Sequence, residues 1–164
     1  VGHTSFLPNR DAVDFFLTDI WPAVRARRPS ATFHLIGRSA PADRASFAAH
    51  PAVTAHDYVP DVRPHLAQAD CSVVPIRFGG GTRIKILGRA VVSTPVGCEG
   101  LRAVNGENIL VCDTPTAFAD GVTEVLTNAD LRLRLGEGGR RTVEELYSWD
   151  RVGVGIRELY WQLV

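Results

Sequence analysis

The sequence lacks methionine altogether and has only three cysteines and no excess of either charge sign. Lys plus Arg and Asp plus Glu each number 18, giving a formal net charge of zero. A balanced chain has no global basic field, which argues against a nucleic-acid binder held by phosphate neutralisation. Cys71, Cys98 and Cys112 are far apart, with no C-x-x-C pair, so neither a disulfide framework nor a thiolate metal site is expected. Cys71 and Cys112 lie in apolar runs and read as small core residues of a protein from a reducing compartment. No apolar run is long enough to span a bilayer. No Asp-x-Asp cluster is present to hold a cation against a diphosphate, and His3, His34, His50, His56 and His65 show no paired metal spacing. Without a methionine, and with Val1 reading as the end of a strand, the 164 residues are expected to be a piece of a longer protein.

What is present alternates. Short apolar β-rich runs are followed by amphipathic stretches, the pattern of βα units around a parallel sheet. Asn9 is placed to cap a helix with Val13, Phe16, Leu17, Ile20 and Val24 inward, stopped by Pro29. Strands are predicted at Thr32–Ile36, Val53–Val59, Cys71–Ile76, Arg89–Ser93 and Asn108–Val111. Helices are predicted from about Asp43 to Ala49, after Asp61, after the Thr114-Pro115 cap, from Asp130 and from Ser148 or Asp150. Gly136, Gly138 and Gly139 weaken the fourth of these five. Residues 1–164 are expected to form one three-layer α/β/α Rossmann-like domain with a mostly parallel sheet.

Directly after the strongest strand comes Arg77-Phe78-Gly79-Gly80-Gly81-Thr82-Arg83-Ile84-Lys85. Ligands of open parallel sheets sit at the carboxyl ends of the strands. Three glycines let the backbone approach a ligand, and the next helix start offers N–H groups to an anion. Arg83 and Lys85 add a forked and a point-like cation suited to a diphosphate. On composition alone a flexible turn with solvated basic residues explains the stretch as well. It is neither G-x-G-x-x-G nor G-x-x-x-x-G-K-[ST], which weighs against an NAD- or flavin-dependent enzyme and a P-loop NTPase.

The blocks Pro8-Asn9-Arg10-Asp11-Ala12-Val13 with Phe15-Phe16, and Val59-Pro60-Asp61-Val62-Arg63-Pro64, resemble those of the group 1 glycosyltransferases (family GT4, GT-B fold). So do Gly79 through Leu87, Ala90 through Gly97 with Glu99-Gly100-Leu101, Gly106 through Val111, and Tyr147-Ser148-Trp149. They fall in family order and cover nearly the whole chain. The resemblance implies the C-terminal, donor-binding half of a retaining, hexosyltransferase-like enzyme. Its donor would be a UDP-, GDP- or TDP-sugar, with no cofactor and no metal. The acceptor would be held by an N-terminal domain absent from this chain, so the isolated chain should transfer nothing. The expected setting is cytoplasmic, with peripheral membrane association of the full-length enzyme left open.

By the same resemblance, Tyr58 and Val59 would meet the nucleobase through their backbone. Gly79, Gly80, Gly81 and Thr82 would approach the diphosphate and sugar. Arg83 and Lys85 would stabilise the departing nucleotide, as the catalytic pair. Gly2, His3 and Asn9 would line the cleft, and Glu99, Gly100 and Leu101 would flank the sugar, although Glu99 is equally suited to capping a turn. The chain also departs from the family. Leu7-Pro8-Asn9 stands where relatives carry a basic pair. In the E-x7-E signature both glutamates are replaced, by Gly80 and Gly88, and Leu87-Gly88-Arg89 reads as a junction across a segment that relatives possess. Gly80 in the first position is common in this branch, but the missing second glutamate and the missing partner domain favour a second reading, a non-catalytic Rossmann-like binding or assembly module.

Overall fold

The computed structural model describes residues 1–79 and 89–161; of α8, below, only part of the side chains is described. The first helix is a composite. Leu7–Phe15 (α1) and Trp21–Arg27 (α2) are joined by a π-helical turn, Phe16–Ile20. Pro22 supplies the cause, because it has no N–H to donate and the ladder must widen around it. The Trp21 N–H accordingly reaches back five residues to the Phe16 carbonyl. The extra residue keeps Phe16, Leu17, Ile20, Trp21 and Val24 all on the buried side. The helix opens at Leu7 rather than after Asn9. Pro8, with its fixed φ, sits in the first turn, and the Asn9 amide donates instead to the His3 carbonyl at 3.0 Å.

The strands are β1 (Phe33–Ile36), β2 (Val53–His56), β3 (Ser72–Val74), β4 (Val91–Ser93) and β5 (Leu110–Val111). All described pairings between them are parallel, in two ladders, β1-β2 and β3-β4-β5. The expected single sheet is therefore divided between β1 and β3 among the described residues. Each strand is shorter than its apolar run. Val53–Val59 stops at His56 because its partner β1 stops at Ile36, with Ile36 opposite His56.

Between the strands run α3 (Pro41–Ala48), α4 (Arg63–Gln68) and α5 (Pro95–Cys98), followed by α6 (Pro115–Thr127), α7 (Ala129–Thr142) and α8 (Trp149–Trp161). Thr114 caps α6 as expected, accepting from the Ala117 N–H at 3.2 Å. For α7 the cap is Asn128, accepting from Leu131 N–H at 3.0 Å, and Asp130 lies in the first turn, where its charge suits the dipole.

Helices cover both faces of the second ladder. Val92 is buried in the main core with Phe16, Trp21, Phe118, Val122 and Leu135. Its neighbour Val91 packs the opposite way, in a second cluster with Cys98 and Ile109. A strand buried on both faces is the signature of a parallel α/β layer, and the architecture is Rossmann-like. The glycines of α7 have a packing reason: a Cβ on Gly138 would collide with the Glu107 carbonyl. Burial pushes the Cys71 thiol up to about 12, consistent with a core role rather than reactivity.

Candidate functional site

The site is built at the carboxyl ends of the parallel strands, where turns after β1, β3 and β4 meet. Gly2 joins the first of these, donating its N–H to the Ile36 carbonyl at 2.9 Å. Gly37, with φ +139°, ends β1, and any Cβ there would run into the Gly2 carbonyl. Gly2 lies against Asn9 in turn: a Cβ would stand 3.0 Å from the Asn9 side-chain nitrogen. His3 is exposed, its Nδ1 2.6 Å from Ser5 Oγ.

The glycine stretch enters this corner from β3. Arg77 is clamped by both oxygens of Asp11 on α1, its Nε 2.9 Å from Oδ2, and its guanidinium lies 4.5 Å from the Phe15 ring centroid. On the other side the Thr94 hydroxyl donates to the Ile76 carbonyl while accepting from the Gly97 N–H of α5 at 2.9 Å. The backbone is thus fastened to α1 and β4 before it reaches Gly79. There φ is +100°, and a Cβ would lie 2.7 Å from Pro8 Cγ. Gly79 is required twice over, by its left-handed backbone and by the proline ring beneath it.

Of the residues singled out from sequence, Gly2, Asn9 and Gly79 line one cavity of 760 Å³, and His3 is tied to it through Asn9. Tyr58 and Val59 follow β2 and do not line it. Tyr58 is exposed with Arg38 5.2 Å over its ring, and its N–H is engaged by Asp57 Oδ1 at 2.8 Å. That backbone bond, with Arg44 and Arg38 nearby, lowers the Asp57 pKa. Glu99 is the residue that ends α5, followed by Gly100 at φ +79° and by Leu101, whose N–H bonds the Cys98 carbonyl at 3.1 Å. These three form the turn after α5 and also stand outside the cavity. Gly80, Gly81, Thr82, Arg83 and Lys85, and the junction at Leu87-Gly88, lie outside the described residues.

Sequence reading missed two features. One is Gly37, whose contact with Gly2 becomes visible once β1 is placed beside residues 1–4. The second is a trio of histidines. His34 Nδ1 is 3.0 Å from His56 Nε2, their rings stacked at 5.4 Å, and His65 of α4 lies 5.0 Å from His56. Among the described residues no group of three His, Cys, Asp or Glu is arranged to hold a metal ion. Desolvation, then repulsion from His34 and His65, lowers the His56 pKa from its ordinary 6.5. A lowered histidine disfavours protonation in the folded state, so stability is fully present above about pH 6.5 and falls as the pH drops through the folded value. His56→Asn is expected to flatten the dependence of melting temperature on pH between about 5 and 7. An unchanged slope would show that the setting of His56 does not disfavour its protonation in the folded chain.

Comparison with known proteins places this arrangement in a class. The family model described as "Glycosyl transferases group 1" matches residues 1–128, and the chain belongs to that family. It is 28% identical over 109 residues to an uncharacterized glycosyltransferase of Methanocaldococcus jannaschii, a match covering 63% of this chain and 31% of that protein. Its fold is similar to that of sucrose-phosphate synthase from Thermosynechococcus elongatus, with a TM-score of 0.73 at 22% identity. That match covers 94% of this chain and 43% of the other. The chain thus spans about a third of the matched relative's length and under half of the structural neighbour's, which has the GT-B architecture. Among the described residues no helix is long and apolar enough to cross a membrane.

Proposed function

We propose that this chain is the donor-binding part of a retaining, hexosyltransferase-like glycosyltransferase, taking a UDP-, GDP- or TDP-sugar. The observation that supports the reading most is the seat of Gly79 on Pro8. It sets Gly79 in the corner formed by Gly2, Asn9 and the first turn of α1, at the carboxyl ends of the strands. A diphosphate lying over that stretch would meet backbone N–H groups, with Arg83 and Lys85 supplying the cationic donors. As the glycosidic C–O bond breaks, negative charge grows on the leaving nucleotide, and these two side chains stabilise it. The acceptor is held by a second domain, and the donor phosphate assists the acceptor hydroxyl, which gives retention. The working enzyme is cytoplasmic.

The test is titration of UDP, GDP and TDP into the chain and into Arg83→Ala and Lys85→Ala. Charge-assisted hydrogen bonds contribute about 1.5–3 kcal/mol, so each change is expected to weaken binding roughly ten- to a hundredfold. Binding that is absent for all three nucleotides, or indifferent to both changes, returns the chain to the non-catalytic binding module that Gly88 also permits.

A further inference from the structure

α7 continues into a further π-helical turn, Val143–Tyr147. The π turn of the first helix has Pro22 to force it, whereas Val143-Glu144-Glu145-Leu146-Tyr147 contains no proline. Its effect is on which side chain faces the loop after α5. Successive turns of α7 meet that loop on one face. Arg134 donates from Nε to the Gly106 carbonyl at 3.3 Å. Gly138 lies so close to the Glu107 carbonyl that a Cβ would collide with it. The Thr142 hydroxyl accepts from Asn108 Nδ2 at 2.9 Å. The next residue on this face of an unbroken α-helix is Leu146. The π turn puts Tyr147 there instead, and its hydroxyl accepts from the Arg102 N–H at 3.0 Å. Leu146 is left 46% exposed. An apolar side chain is thus turned outward, and helix regularity given up, so that a hydroxyl reaches the loop. Single π turns of this kind occur frequently at functional sites.

Arg102 is thereby held on both sides of its backbone. Its carbonyl accepts from Asn108 Nδ2 at 2.8 Å, and the buried Asn108 also accepts from the Val104 N–H at 2.8 Å. Upstream, the Gly97 N–H donates to the Thr94 hydroxyl, which donates in turn to the Ile76 carbonyl at the exit of β3. The turn Glu99–Leu101 is therefore bracketed by two side-chain clamps, one to the exit of β3 and the other to the end of α7. Between them Gly100 presents bare backbone to open space: its φ is +79°, and a Cβ would meet nothing within 4 Å. We infer that Tyr147 is a positioning residue for the sugar of the donor. Its hydroxyl fixes the Glu99–Leu101 turn through the Arg102 N–H, and the turn so placed meets the sugar rather than the nucleotide. This rests on the donor reading, in which the sugar lies against this turn. A turn held at both ends binds without first being ordered, so releasing one end weakens the contact with the sugar alone.

Tyr147→Phe removes the hydroxyl and keeps the ring. UDP, GDP, TDP and the glucose-linked form of each are titrated into the unaltered chain, Tyr147→Phe and Leu146→Ala, and amide exchange of Arg102 is followed alongside. In Tyr147→Phe the Arg102 amide is expected to exchange faster. Nucleoside diphosphate affinity should stay within about twofold, and affinity for the glucose-linked form should fall about five- to tenfold, the contribution of one hydrogen bond. Leu146→Ala should change none of the three. Unchanged exchange at Arg102 would show that the hydroxyl does not hold the turn. Equal losses for nucleotide and glucose-linked form would reduce Tyr147 to a structural role, and no loss for either would leave the sugar independent of the turn. Each of these results overturns the inference and leaves the donor reading standing, since that reading needs only nucleotide binding by the unaltered chain. Failure of the unaltered chain to bind any of the six ligands removes the donor reading and this inference with it.

Discussion

Phe16→Ala is expected to lower the stability of the chain by about 3–5 kcal/mol, against the roughly 5–15 kcal/mol of a typical domain. Phe16 is 1% exposed, and its ring joins three elements. It lies 4.7 Å from Phe33 of β1, 6.2 Å and edge-on from Phe118 of α6, and 6.0 Å from Trp21 of its own helix. The neighbours cannot collapse into the space it leaves. Trp21 is held by a hydrogen bond from its ring N–H to the Pro51 carbonyl at 2.9 Å, and Phe33 is fixed by its register with Val53. The cavity term is therefore retained in full. Phe16→Leu keeps most of the volume and should cost under about 1.5 kcal/mol. Urea unfolding monitored by circular dichroism separates the two, and a loss below about 1 kcal/mol for the alanine variant would show that this junction is not where the layers are held.

The same junction shows what was legible in the sequence. Helical spacing of Val13, Phe16, Leu17, Ile20 and Val24 marked the first helix and its buried face, because periodicity is a local property. The π turn was not marked, since Pro22 could as well have ended the helix; burial of both flanking faces decided otherwise. Thr114-Pro115 announced α6 because capping needs only residues within one turn. Asp130 marked the start of α7, but Asn128 caps it, because the place where the chain leaves α6 sets the first turn at Ala129. Strand ends were overread for a different reason. Val59 is apolar enough for a strand, but β2 stops where its partner stops.

The candidate site divides along the same line. The glycine stretch was visible as composition, and its place after a strand told which edge of the sheet it occupies. The close approaches that fix it, Gly37 on Gly2 and Gly79 on Pro8, join residues 35 and 71 positions apart, and no local pattern encodes them. The histidine trio is likewise a product of register. With Ile36 opposite His56, His34 and His56 share a face, and α4 brings His65 to the same place.

Gly79→Ala is expected to weaken binding of nucleoside diphosphates at least tenfold while leaving the melting temperature within a few degrees. The added methyl meets two obstacles that differ in kind. One is conformational, because φ at +100° is a region that L-residues avoid, at about 1–3 kcal/mol. The other is steric, since the Cβ would stand 2.7 Å from Pro8 Cγ in a ring that cannot rotate away. The chain can relieve both only by lifting the stretch off α1. The Arg77–Asp11 clamp resists that on the upstream side, so the displacement falls on Gly79 itself. The core does not feel it, because Gly79 is exposed and lies outside both apolar clusters. Pro8→Ala removes the steric part alone, so Gly79→Ala with Pro8→Ala should recover some of the lost affinity but not all. Calorimetric titration of UDP, GDP and TDP across the four chains reads the coupling directly. If the single glycine change leaves affinity intact, the stretch does not carry the diphosphate; if the proline change restores nothing, backbone conformation alone sets its position.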